Sequence, residues 1–228
     1  MTKLNPFPGQ KFSYISSPEL PNITKFYENG KGYYDTPDGK FVSITSILAA
    51  NVPSGIISWR KAMGDSVADY IMRKAAARGK TVHSIIERYL SNHPLYPMQT
   101  YGLLPWGIFR MIRPALDNIS DIRGIEIPIY SRKLRVAGTA DTIADYDGLP
   151  SIIDYKTTTK LRNSSSIRNH LLQCAFYGIC WEELTREKLE QIVIIMGAED
   201  GNMTVFKEKL SDHVDEVKNL IQDYYREL

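Results

Sequence analysis

The sequence predicts a mixed α/β fold of the α+β kind, in which helices flank a mixed sheet. Three observations carry the prediction. From Ile57 to Leu90 apolar residues recur near the 3.6-residue helical spacing; after Asp121 the period falls to two; beyond about residue 166 helical and strand patterns alternate. The resulting order is helix, three strands, helix, two strands, helix.

Residues 1–56 are rich in turn formers and read as an amino-terminal arm packing on the core, with residues 57–228 forming the main domain of a single-domain chain. Within the arm, Tyr34 to Lys40 (YDTPDGK) reads as a hairpin turn leading into the β-branched run FVSITSIL. The helical stretch 57–90 carries Val67, Tyr70, Ile71, Val82, Ile85, Ile86 and Tyr89 as its stripe, interrupted by Gly64 and Gly79. A Pro-rich loop over 91–101 precedes a helix over 105–118. GIEIPIY, KLRVAGTADTIADY and PSIIDYKTT then read as strands, joined at Ser131-Arg132-Lys133 and at Asp147-Gly148. The segment 166–184 reads as an amphipathic helix with Leu171, Leu172, Ala175, Phe176 and Ile179 on its apolar face. QIVIIMG and MTVFKEK are two strands around a Glu199–Asn202 turn, and a final helix is capped by Ser211.

Composition removes several classes of function. The 228 residues are 43% hydrophobic and 24% charged, with a net charge of +2, so a polyanionic partner must be met by a local patch. Cys174 and Cys180 are too few for an iron–sulfur cluster or a disulfide framework and read as inert core thiols of a reducing compartment. No apolar run approaches the roughly 20 residues of a membrane span, and the amino terminus has no secretion signal, so a cytoplasmic soluble protein is expected.

The hairpin at Asp147-Gly148 sets up the chemistry. A two-residue turn makes Tyr146 face Leu149, which places Asp141 across from Asp154 with Cβ atoms roughly 4.5–5.5 Å apart. Alternation puts Ile152, Asp154 and Lys156 on one face and Ile153 and Tyr155 on the other. Opposed carboxylates repel unless a cation lies between them, and a hard divalent metal is the usual remedy. Elsewhere, His83 and Glu87 are four apart on one helix side, as are Gln173 and Tyr177. Neither pair resembles a zinc-protease HExxH motif.

RGKTVHSIIE, GTAD, DYK and QCAFY occur in that order, each on its expected element. This set resembles the RecB-like exonuclease branch of the PD-(D/E)XK nuclease superfamily, and within it the mitochondrial-genome-maintenance and phage-encoded single-domain exonucleases. The resemblance spans roughly residues 33–180 and implies a restriction-endonuclease-like αβββαβ core, followed here by a hairpin and a helix. It implies that Asp141, Asp154, His83 and the main-chain carbonyl of Tyr155 bind Mg²⁺ or Mn²⁺, with Glu87 and Glu126 as weaker candidates. Lys156 would orient or deprotonate the attacking water and offset charge on the phosphorane, with Gln173 and Tyr177 positioning it or the scissile phosphate.

The expected function is a metal-dependent DNA exonuclease of repair, recombination or replication, acting on single-stranded ends with little sequence specificity. Alternatives are a structure-specific endonuclease on the same fold and a silent subunit that binds DNA or a helicase or replication partner. Candidate phosphate contacts are Arg78, Lys80, Lys160, Arg162 and Arg168, with Arg110, Arg113 and Trp106 as a second, mixed cation and aromatic group.

Overall fold

The computed structural model describes residues 3–4, 11–50, 54–161 and 167–227. The described amino-terminal residues are largely strand. After the short strands β1 (Lys3–Leu4) and β2 (Tyr14–Ile15) they build a meander of β3 (Thr24–Glu28), β4 (Lys31–Thr36) and β5 (Gly39–Ser43). Its first turn is Asn29-Gly30, with φ of 50° and 76°, the left-handed pair that a primed two-residue hairpin turn requires. FVSITSIL is only half a strand. The Ser43 hydroxyl accepts the Ser46 backbone N–H at 3.2 Å, a cap that starts α1 (Ile44–Ala50) despite the β-branched residues.

The expected helix 57–90 is two helices, α2 (Ser54–Met63) and α3 (Asp65–Leu90). Gly64, at φ 80°, makes the break. Gly79 breaks nothing; a Cβ there would lie 3.6 Å from the Thr157 hydroxyl, so it marks a close approach of α3 to the sheet. Apart from Ala68, the buried residues of α3 lie in its second half. Val82, Ile85 and Ile86 are buried, whereas Val67, Tyr70 and Ile71 of the expected stripe are exposed. A single turn, α4 (Met98–Tyr101), and α5 (Leu103–Leu116) follow.

The period-two region gives β6 (Ile119–Ser131), β7 (Val136–Tyr146) and β8 (Leu149–Thr158), then α6 (Arg168–Thr185), β9 (Gln191–Ala198), β10 (Met203–Lys209) and α7 (Ser211–Arg226). Ser211 is the first residue of α7 rather than its cap, which is Leu210. The Asp147-Gly148 turn has φ of 50° and 81°, and the pairs Tyr146↔Leu149 through Thr142↔Ile153 follow the register the sequence predicts.

The sheet separates two cores. Ile143, Ile152, Ile192 and Ile194 pack with α1, α6 and α7, while Ala144, Ile153, Val193 and Ile195 pack with α3 and α5. Because α6 lies between the sheet and α7, it is buried nearly all round, including Cys174, Tyr177, Cys180 and Trp181, and is not the amphipathic helix expected. None of the described helices is long and apolar enough to cross a membrane.

One irregularity positions everything that follows. Along one edge β7 pairs with β6. Along the other, Val136 and Ala137 pair in parallel with β5, while Thr142–Tyr146 pair antiparallel with β8. Between them, Gly138 to Asp141 have no ladder partner on that edge among the described residues. The sheet therefore forks at Asp141.

Candidate active site

At the fork, side chains replace the missing ladder. The Asp141 carboxylate accepts the Tyr155 backbone N–H at 3.1 Å, one pair beyond the last rung between β7 and β8. Asp154 is 2% exposed. Its Oδ1 accepts a hydrogen bond from Lys156 Nζ at 2.7 Å, and its Oδ2 is buried with no hydrogen-bond donor among the described residues. An orphaned buried carboxylate oxygen costs stability unless a cation or donor reaches it.

His83 reaches the fork from α3. Its Nε2 lies 2.8 Å from the Tyr155 carbonyl, and its Nδ1 lies 3.6 Å from Asp141 Oδ2 and 3.8 Å from Glu126 Oε1. The Tyr155 carbonyl is thus already an acceptor for the imidazole. Glu126 comes to this point through a strained backbone. It has φ 51°, and the β6–β7 pairs Ile125↔Thr142 and Ile127↔Ala140 flank it, which sets it across from Asp141. His83, Glu126 and Asp141 each offer a ligand atom within 4.8 Å of the others. Glu87 is exposed and outside that group, so of the two weaker acids only Glu126 is brought in.

From the opposite layer, Gln173 Nε2 donates to the Tyr177 hydroxyl at 2.9 Å. A Cβ on Gly138 would lie 2.5 Å from Tyr177 Cε1, so the glycine is what lets this ring into the fork. His83 from one helical layer and Gln173 and Tyr177 from the other line a single cleft of about 220 Å³ because the sheet between them is open.

The charges are interdependent. Burial pulls the His83 imidazole down, but the Glu126 carboxylate beside it and the Asp141 and Asp154 charges overcome it and hold it up at about 9. Burial and the facing Asp154 push Asp141 up to about 6, against His83 and Lys156. Burial also opposes charge on Lys156, yet the two aspartates hold it above the ordinary lysine value, so it is a firm ammonium. The carboxylates of Asp141 and Glu126 and the His83 imidazole form a donor set that fits a divalent cation of hard or borderline character, while Asp154, with its unpartnered buried Oδ2, lies outside that three-residue group.

The expected phosphate contacts divide. Lys80, Lys160, Arg110 and Arg113 are exposed. Arg78 is nearly buried, donating to Thr157 Oγ1 at 3.2 Å and ion-paired with Glu199, and Arg168 is ion-paired with Glu216. Arg162 lies outside the described residues. Trp106 is half-buried and stacks on Tyr101 with the rings 5.8 Å apart, so it is engaged in packing. Sequence reasoning missed Lys25, Tyr34 and Thr45, which also line the cleft; the Asn29-Gly30 turn that brings them there was the available signal.

An acidic cluster at the fork of a mixed sheet, with a lysine two residues beyond the second aspartate and a helix on either side, defines a class. The chain belongs to the PD-(D/E)XK nuclease superfamily, whose model matches residues 105–226. Nucleases of this superfamily use divalent metals. Over 103 residues the chain is 28% identical to human mitochondrial genome maintenance exonuclease 1, a match covering 44% of this chain and 30% of that protein. It is also similar to the crystal structure of a candidate exonuclease from Eubacterium rectale, at 14% identity and a TM-score of 0.47, over 67% of this chain and 66% of that one.

Proposed function

We propose that the protein is a metal-dependent DNA exonuclease that hydrolyses phosphodiester bonds from single-stranded ends. The observation that carries this reading is the cluster of His83, Glu126 and Asp141, with the buried, unpartnered Asp154 Oδ2 as a further acidic oxygen on the neighbouring strand. Asp141 and Asp154 would hold Mg²⁺ or Mn²⁺, with His83 and Glu126 as further ligands; the nitrogen donor favours Mn²⁺ without excluding Mg²⁺. Such an ion supplies Lewis acidity and lowers the pKa of bound water.

The chain's own residues account for the rest. Lys156, fixed by its 2.7 Å bond to Asp154, is placed to offset the charge that builds on the phosphoryl oxygens. Its raised pKa favours that role over proton abstraction. The Gln173–Tyr177 pair, seated on Gly138, presents amide and hydroxyl groups that can orient the phosphate or Lys156. Exposed Lys80, one turn ahead of His83 on α3, and Lys160, just after β8, would contact the strand, and nothing among the described residues resembles a base-reading element, in keeping with weak sequence preference.

The test is digestion of linear and circular single-stranded DNA with Mn²⁺ or Mg²⁺. An exonuclease degrades the linear strand and spares the circle. Cutting of the circle would make the protein an endonuclease, and cutting of neither would make it a silent DNA-binding subunit. Lys156→Ala should lower the rate by about 100- to 1,000-fold.

A further inference from the structure

Part of the cleft lining comes from the amino-terminal meander and the helix that follows it, which the catalytic roles leave unused. Lys25 and Tyr34, from β3 and β4, and Thr45 of α1 line the same cleft as His83, Glu126 and Asp141. Lys25 is exposed, and no carboxylate lies within ion-pairing distance of it among the described residues. Its ammonium lies instead over the rings of Tyr27 and Tyr34, at 5.5 and 5.7 Å. Aromatic faces steer a cation without neutralising it. Tyr34 is itself fixed by a 2.9 Å hydrogen bond to Thr139 in the unpaired stretch of β7. Other cations nearby are spent: Lys40 on Glu28 and Arg78 on Glu199.

The same cleft carries Glu126 and Asp141, which repel a polyanion, so a cation in its lining is needed to admit one. A cleft of about 220 Å³ is smaller than the roughly 300–1,000 Å³ of pockets that enclose whole small molecules, so it suits a short stretch of polymer backbone. We propose that Lys25 binds a backbone phosphate adjacent to the scissile one, making the meander part of the substrate cleft. This assignment rests on the nuclease reading.

The experiment measures binding of a fluorescent single-stranded oligonucleotide in Ca²⁺ across a salt series, for the wild type, Lys25→Gln, Lys25→Arg and the control Lys40→Gln. Loss of one phosphate contact should lower the slope of log K against log salt by about 0.7 in Lys25→Gln, with Lys25→Arg and Lys40→Gln like the wild type. In Mn²⁺, KM of Lys25→Gln should rise about five-fold with kcat changed less than about two-fold, the pattern of lost uniform binding. An unchanged slope and KM in Lys25→Gln, with the wild type cutting, would overturn the Lys25 assignment alone. A wild type that binds with a Lys25-dependent slope but cuts with no divalent metal would overturn the nuclease reading and leave Lys25 as a nucleic-acid contact. Because Lys25 is exposed, thermal melting of the variants should match the wild type.

Discussion

His83 lies between carboxylates that raise its pKa to about 9, and Asp141 is raised to about 6 by burial and by Asp154. Both shifts have the same sign for stability. A group whose pKa is raised on folding stabilises the fold fully below its unfolded value and loses that contribution as pH rises through its folded value. For Asp141 that window runs from its ordinary value of 3.8 to about 6, and for His83 from 6.5 to about 9. The EDTA-treated protein should therefore melt at progressively lower temperature as pH rises across these windows, and His83→Ala should flatten the upper one. Addition of Mn²⁺ should restore the melting temperature at pH 8 and release protons, both measurable by scanning calorimetry and a pH indicator. At Glu126, the left-handed backbone is a position that Asn tolerates, so Glu126→Asn should leave the melting temperature nearly unchanged while weakening Mn²⁺ binding by about ten-fold or more.

Among the elements, the fork of β7 decides most. Gly138 admits the Tyr177 ring at a spacing where a methyl group cannot fit, with Ile44 Cγ2 only 3.2 Å from the same point. Gly138→Ala should destabilise the fold by about 1–3 kcal/mol in denaturant melts, and should depress kcat as the Gln173–Tyr177 pair shifts. Arg123 is a second joint. Buried on β6, it donates to Asp145 of β7 at 2.7 Å and to Glu187, after α6, at 2.8 Å, while Glu187 also accepts the Trp181 indole N–H at 3.0 Å. Arg123→Ala leaves two carboxylates without their cation and should cost about 3–5 kcal/mol in the same measurement. The sequence shows where these elements lie more readily than what covers them. Strands β6 to β8 were legible because alternation and the Asp147-Gly148 turn agree. Helix α6 looked amphipathic because local pattern cannot reveal that α7 covers its other side. The first half of α3 looked like core because of Val67, Tyr70 and Ile71, yet these are 44%, 56% and 36% exposed.

For the molecule as a whole, the site was legible to the extent that it follows from register. Asp141 and the Asp154–Lys156 pair fall on neighbouring strands as the register implies, and His83, Gln173 and Tyr177 line one cleft with Asp141 because α3 and α6 flank the same strands. What sequence could not show is the opening in the sheet through which the two helical layers meet. That opening depends on β5 and β8 competing for one edge of β7, a pairing between segments about a hundred residues apart. Glu126 was undervalued for a related reason, since its approach to Asp141 depends on a left-handed residue inside a strand that composition does not announce. The proposal that the acids at the fork form a divalent-metal site is open to electron paramagnetic resonance titration of Mn²⁺ into the wild type and Asp154→Asn. Stoichiometric binding by the wild type and at least about 100-fold weaker binding by the variant are expected. Equal affinity in the two proteins, or no binding by either, would contradict it.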